Sequence, residues 1–322
     1  MLLISPNNLT VWVIPDIDMV RHKLLKLGYI SSLLVVVIAF PFFFLGGSTE
    51  ASSSFMRALW DFGHLIFFFA TVLILSKKFD IKKWQVMIAI SLAVFIFGGL
   101  IELVQAYIGR DGSWSDLLRD MTGTWLGLFW AQGANLWIWL GRLISFVLLL
   151  PNITTVFYEG RYQLNITQQF PLLAGFESSI ETYGRPGIVE RSSEFHTQGN
   201  YSLKVGLTTR KYTSIVFNRI INNWSGYKTF AFDMYNPDPQ ILLMTVRVND
   251  AQHNLNGWVT QDRFNRSLVL NPGWNHFSFA IEDIRNAPAK REMDLLHITW
   301  VEIFAKNLPA PRSVYIDKVR LE

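Results

Sequence analysis

Residues 117–158 read LLRDMTGTWLGLFWAQGANLWIWLGRLISFVLLLPNITTVFY, and the division of this stretch decides the architecture of the chain. As one straight helix rising 1.5 Å per residue it would run about 60 Å, twice the hydrocarbon thickness of a bilayer. Two spans are expected instead, with Gln132, Gly133, Ala134 and Asn135 forming the reversal and Arg142 snorkelling to the cytoplasmic surface as the second begins. Toward the N-terminus, Gly28–Leu45, Leu59–Ser76 and Trp84–Ile108 each supply about 20 mostly apolar residues, which brings the count to five. Arg21, Lys23, Lys26, Lys77, Lys78, Lys82, Lys83 and Arg142 then fall on one side, which the excess of positive charge marks as cytoplasmic. An odd number of spans sends everything after about Tyr158 to the opposite, extracytoplasmic side.

Composition supports a membrane part joined to a soluble part. Of 322 residues, 50% are hydrophobic and only 17% charged, too apolar for one ordinary soluble domain. The absence of cysteine excludes disulfide scaffolds, thiolate metal sites and thiol nucleophiles. The net charge of +4 is dispersed, with no Lys/Arg stripe of the kind that phosphate backbones require, so nucleic acid is not an expected partner.

From Gln168 onward the hydrophobic period becomes two, in Tyr201–Leu207, Thr213–Phe217, Thr229–Tyr235, Leu242–Val248, Trp274–Ala280 and Ser313–Leu321. These strands are punctuated by Gly184-Arg-Pro-Gly187, Asn236-Pro-Asp-Pro239, Asn271-Pro-Gly273 and Pro309-Ala-Pro311, with no crossover helix between them. Antiparallel pairing in two packed sheets follows, a jelly roll of eight or nine strands. The expected fold is thus an α-helical membrane domain of about five helices followed by an all-β jelly-roll sandwich. Its divisions are a cytoplasmic segment 1–27, a membrane domain 28–158, a linker 159–167 and an extracytoplasmic sandwich 168–322.

Ionisable residues in the membrane half cluster near one surface. Asp61 and His64 share a face of the second span, Glu102 and Gln105 a face of the third, and the loop that follows brings Arg110, Asp116 and Asp120. Gly123 and Gly127 then stand at a small-xxx-small spacing that permits close helix approach. An ionisable group within a span costs about 2.5 to 3.5 kcal/mol on insertion scales, so Glu102 is expected to pair, line a wet cavity or work. One reading is an outward polar pocket in which Asp61 orients His64, a carboxylate serves as partner base and Arg110 holds an anion. The other is that these groups hydrogen-bond the helices together.

The order Trp60-Asp61-Phe62-Gly63-His64, Glu102-Leu-Val-Gln105, Gly109-Arg110 and Asp116-Leu-Leu-Arg-Asp120-Met-Thr-Gly123-Thr-Trp-Leu-Gly127 resembles the VanZ-like membrane proteins over about residues 59–128. That family's pattern has Asn where this chain has Asp120, which adds an acid to the patch. The family is named for an accessory determinant of resistance to the glycopeptide teicoplanin, so the resemblance implies the cell envelope and does not supply a reaction.

Phe176-Glu177-Ser178 and Tyr315-Ile-Asp317-Lys-Val-Arg-Leu321 look like the first and last strands of galactose-binding-like jelly-roll modules, which occur as carbohydrate-binding domains. That resemblance implies a structural calcium ion on Glu177 and Asp317 with carbonyls near Gly199–Tyr201. Sugar recognition stacks an apolar face on an aromatic ring and meets hydroxyls with amides, carboxylates and arginines. The stretch from Arg247 to Arg266 is richest in such groups: Trp258, with Tyr212, is expected as the platform, and Asp250, His253, Asp262 and Arg263 as polar contacts. Asp262 and Arg263 also read as a fold-supporting ion pair, and Trp224, Phe264, Trp274 and Trp300 as core.

The expected protein is therefore a multi-pass protein of the bacterial inner membrane. Its partners are the lipid bilayer and an envelope polysaccharide or lipid-linked glycan, bound by the extracytoplasmic sandwich and the outer polar pocket. An enzyme acting on a lipid-linked sugar or phosphate through His64 and a carboxylate, and a membrane-anchored scaffold, remain open beside it.

Overall fold

The computed structural model describes residues 53–107, 114–185 and 187–322, together with scattered helical positions between 27 and 38. The expected first span, 28–45, lies mostly outside the described residues, as do the segment 1–27 and Arg110. The described residues divide into two compact units, one holding residues 61–151 and the other residues 53–60 with 152–322.

In the first unit the reversal falls where the sequence places it. Helix α1 spans Ser54–Leu75, α2 Trp84–Tyr107, α3 Trp114–Trp130 and α4 Leu136–Gln169. Asn135 starts α4, its side-chain oxygen accepting from the Ile138 N–H at 3.0 Å. Arg142 closes the end of α3: its guanidinium donates to the carbonyls of Phe129 at 3.1 Å and Gln132 at 2.8 Å and lies over the rings of Trp130 and Trp139. Orphan carbonyls at a helix C-terminus are satisfied this way by a cation that also suits the helix dipole.

Three of the described helices, α1, α2 and α4, are long and apolar enough to cross a membrane. Helix α3, expected as the fourth span, has only 17 residues and begins with Asp116, Arg119 and Asp120, so the described residues do not supply it as a full apolar crossing. Residues 159–167, read from sequence as a linker, form part of α4. Gly123 and Gly127 bring α3 against α1: a Cβ on Gly123 would stand 2.3 Å from the Leu65 carbonyl oxygen, and one on Gly127 2.7 Å from the Val72 side chain. Gly98 of α2 meets α3 in the same way, 2.9 Å from Leu117 and 3.3 Å from Asp120.

The second unit is built on ten strands: β1 Leu172–Ala174, β2 Ile188–Ser192, β3 Ser202–Leu207, β4 Tyr212–Phe217, β5 Thr229–Asn236, β6 Leu242–Asp250, β7 Phe264–Leu270, β8 Gly273–Ala280, β9 Ile298–Lys306 and β10 Arg312–Leu321. Two short helices, α5 Ala251–Leu255 and α6 Ile281–Arg285, follow β6 and β8. One sheet has the order β2-β3-β10-β5-β8, with β1 also on β10; the other has the order β4-β9-β6-β7, and all pairings are antiparallel. From β3 to β10 the chain changes sheet at every connection but β6 to β7, which is jelly-roll topology.

Alternation along each strand sorts core from surface. Phe230, Phe232 and Met234 of β5 face Ile215 and Phe217 of β4, Val246 and Val248 of β6 and Phe264 of β7 in one apolar cluster, closed by Trp224. Trp224 and Phe264 are core residues as expected. Trp274 and Trp300 are not: both are half-buried on outer faces, paired across strands with Tyr235 and Asn249. A one-residue difference in strand phase reverses the face a side chain takes, and the apolar neighbours of these tryptophans hide that phase in the sequence.

Candidate functional site

Three regions of the sandwich and one of the helical unit carry the sequence-predicted residues. In the helical unit, His64 of α1 is buried, with Nδ1 3.0 Å from Oδ1 of the buried Asp120 of α3. Asp61, on the same face of α1, has its Oδ2 3.0 Å from the Arg119 guanidinium, which also pairs with Asp116. Asp61 and His64 stand one turn apart on a face that meets α3, and each takes a partner there, the neighbours Arg119 and Asp120. Glu102 is half-buried on α2, and Gln105 lies on the last turn of that helix.

In the sandwich the predicted contacts separate into two groups. Asp250, His253 and Asp262 join a knot around Arg291, which sequence reading missed. The guanidinium of Arg291 donates twice to Asp250, at 2.5 and 2.7 Å, and twice to Asp262, at 2.7 and 2.9 Å. Asp250 is fully buried and accepts further from the backbone N–H of His253 and Asp294. These hydrogen bonds lower the Asp262 carboxyl to about 2, chiefly through Arg291, and hold the Arg291 guanidinium above its ordinary range. His253 is buried, with Nδ1 3.2 Å from the Asp262 carbonyl oxygen, and Trp258, half exposed, meets its ring edge-on at 5.6 Å. Asp262 thus pairs with Arg291 and not with Arg263. A cleft of about 660 Å³ opens beside the knot, lined by Asn256, Val259, Gln261, Lys290 and Arg291 among others.

The second group lies on the outer face of the β4-β9-β6-β7 sheet. Tyr212 stands 54% exposed at one end, with Phe304 edge-on at 6.0 Å and Lys306 within 5.5 Å of both rings. One row further along, Glu302 of β9 pairs with Arg247 of β6 at 3.0 Å, and Arg247 lies over Trp300. Next come Trp300, paired across strands with Asn249, and Arg263, whose extended backbone prolongs β7 by one residue. Four of these side chains hold buried atoms without a hydrogen-bond partner among the described residues: Trp300 Nε1, Arg263 Nε, Arg247 Nε, which faces Glu302 as an ion pair only, and both amide atoms of Asn249, a residue 1% exposed. Buried polar groups are nearly always satisfied, so ordered water or a bound molecule completes the hydrogen bonding of such a cluster. Burial and the neighbouring Arg247 push the Arg263 guanidinium below its ordinary range, against Glu302 and Tyr212.

Glu177 and Asp317 anchor a loop. The N–H groups of Asn200 and Tyr201 donate to Glu177 at 3.0 Å, and those of Thr197, Gln198 and Lys318 to Asp317 at 2.6 to 3.0 Å. Calcium takes six to eight oxygen donors, whereas residues 200 and 201 turn N–H groups, not carbonyls, toward Glu177. Each carboxylate is thus taken up by backbone N–H groups of the loop. Glu181, buried and accepting from Gly175 and Phe176, reinforces the same corner; the Ser178-x-x-Glu181 capping box is the sequence signal that marks it.

The class the fold defines is an antiparallel jelly-roll sandwich preceded by apolar helices. No protein-family model matches the chain, and no curated protein matches it. Among solved structures, the family 11 carbohydrate-binding module from Clostridium thermocellum, in complex with a β-1,3-1,4-mixed-linked tetrasaccharide, is 14% identical; the match covers 43% of this chain and 83% of that one at a TM-score of 0.32. The family 30 carbohydrate-binding module of a Clostridium thermocellum cellulosomal cellulase is 13% identical, covering 43% and 85% at 0.32. An agarase, AgWH50C, is 18% identical, covering 47% of this chain and 25% of its own at 0.33.

Proposed function

We propose that this chain is a multi-pass membrane protein of the bacterial cell envelope whose extracytoplasmic sandwich binds a glycan across the outer face of the β4-β9-β6-β7 sheet. The observation that carries the reading is the strip on that face, where Tyr212, Phe304 and Trp300 alternate with the Arg247–Glu302 pair and with the unpartnered amide of Asn249. Rings offer stacking area to a sugar's C–H face, and buried donors and acceptors await its hydroxyls. The helices support the membrane part: only 11% of the most apolar window of α2 and of α4 is buried, an apolar surface of the kind that lipid covers. Five spans, which require the short and polar-ended α3 to complete a crossing, an N-terminus inside and a VanZ-like polar patch belong to the same proposal, resting on the sequence pattern.

The test uses the full chain in nanodiscs, titrated with cellotetraose, chitotetraose and tetragalacturonate. At least one should bind, and Tyr212→Ala and Trp300→Ala should each weaken it by about tenfold, the scale of an aromatic hot spot, with the melting temperature unchanged. Unchanged affinity in both variants removes this face as the site. In the Cys-free chain, Thr209→Cys on an exposed turn should react with an impermeant maleimide in intact cells; reaction only after lysis overturns the extracytoplasmic placement.

A second reading, acid–base chemistry in the helical unit on a lipid-linked sugar, is favoured by the buried His64–Asp120 pair. It predicts turnover that is lost in His64→Gln while the amount of protein in the membrane is kept.

A further inference from the structure

The outward-facing positions of β4, β9, β6 and β7, with Arg263 at the end of β7, carry one carboxylate, Glu302, against Arg247, Lys306 and Arg263. Glu302 is taken up by Arg247 at 3.0 Å. Arg263 has no carboxylate within ion-pair distance among the described residues, and its Nε is buried without an acceptor. The neighbouring unpartnered atoms are weighted the same way: Trp300 Nε1 and Asn249 Nδ2 are donors, and Asn249 Oδ1 is the one acceptor beside them. A neutral sugar presents hydroxyls, which donate as well as accept. With Arg247 Nε, buried and unbonded although ion-paired, the face holds four unmatched donors against one acceptor, and these are met better by a group that only accepts and carries negative charge.

We infer that the glycan bound on this face is acidic, with a sugar carboxylate seated on Arg263. The inference rests on the glycan-binding reading above and names its ligand class. Guanidinium and carboxylate are both planar and meet through two parallel hydrogen bonds, which lysine cannot reproduce. Trp300 Nε1 and Asn249 Nδ2 lie in the same cross-strand row and receive the remaining oxygens, while Tyr212 and Phe304 extend the strip for further sugar rings. The Arg247–Glu302 pair stays intact and keeps Arg247 from competing for the ligand.

The test compares tetragalacturonate with its fully methyl-esterified form, which keeps the sugar backbone and loses the charge, on the full chain in nanodiscs. The acid should bind at least about tenfold more tightly, since hydrogen bonds to charged groups carry that much. Arg263→Gln should bring the two ligands to within about twofold. Arg285→Gln, which removes the same charge from the last residue of helix α6, should leave the preference intact. Equal binding of acid and ester, a preference that survives Arg263→Gln, or tighter binding of a phosphodiester-linked oligosaccharide overturns the inference. If ester and cellotetraose bind while the acid gains nothing, glycan binding stands and its acidic character falls; if no probe binds, both fall.

Discussion

Substituting Arg291 with methionine tests whether Asp250, His253 and Asp262 hold the sandwich together. In the native fold one guanidinium makes four hydrogen bonds to two carboxylates, one of them fully buried. Methionine keeps much of the volume and removes the charge, leaving Asp250 buried without its counter-ion. Breaking one side of a buried pair costs about 3 to 5 kcal/mol. For a domain of this size each kcal/mol lowers the melting temperature by about 2 to 4 °C, so the transition of the sandwich should fall by about 6 to 20 °C. The assay is calorimetry of the full chain in detergent. The triple variant Arg291→Met, Asp250→Asn, Asp262→Asn, which removes both carboxylates as well, should recover part of the loss. A fall of less than about 2 °C in the single variant, or no recovery in the triple, would refute the assignment of this knot to fold support.

Further expectations follow from the same geometry. Because Arg291 depresses the Asp262 carboxyl to about 2, the native state binds that proton more weakly than the unfolded chain does. Its stabilisation is complete above about pH 4 and lost as pH falls toward 2; Asp262→Asn should flatten the melting-temperature profile in that window and lower the plateau at neutral pH. Gly123→Ala should destabilise the helical unit by about 1 to 3 kcal/mol, because its Cβ would meet the Leu65 carbonyl oxygen at 2.3 Å, while Gly99→Ala, open on all sides, should be neutral or stabilising; thermal unfolding in detergent compares them. Removing calcium with a chelator should leave the melting temperature of the sandwich within about 1 °C, because the loop 197–201 is held by N–H donors to Glu177 and Asp317; a larger fall would return a cation to that corner.

Period and punctuation made six strands and the helical reversal legible, because alternation and turn residues are local signals. Strand β9, Ile-Thr-Trp-Val-Glu-Ile-Phe-Ala-Lys, was harder: its outward tryptophan and phenylalanine are as apolar as its inward residues, so the sequence does not show which face is wet. Trp300 therefore read as core although it lies on the proposed binding strip. In the helical unit the residue types were legible and the pairing was not, since Asp61 and His64 share a helix face while their partners come from another helix. Arg291 was invisible for a related reason. Its carboxylate partners lie 41 and 29 residues away, and only the folded loops bring them together.

The most direct test of the central claim is hydroxyl-radical footprinting of the full chain with and without a saturating bound oligosaccharide. Binding across the β4-β9-β6-β7 face should protect Tyr212 and Trp300 and leave Tyr235 and Trp274, on the outer face of the opposite sheet, at their unliganded rates. Protection of Tyr235 and Trp274 with Tyr212 and Trp300 unchanged would contradict the account.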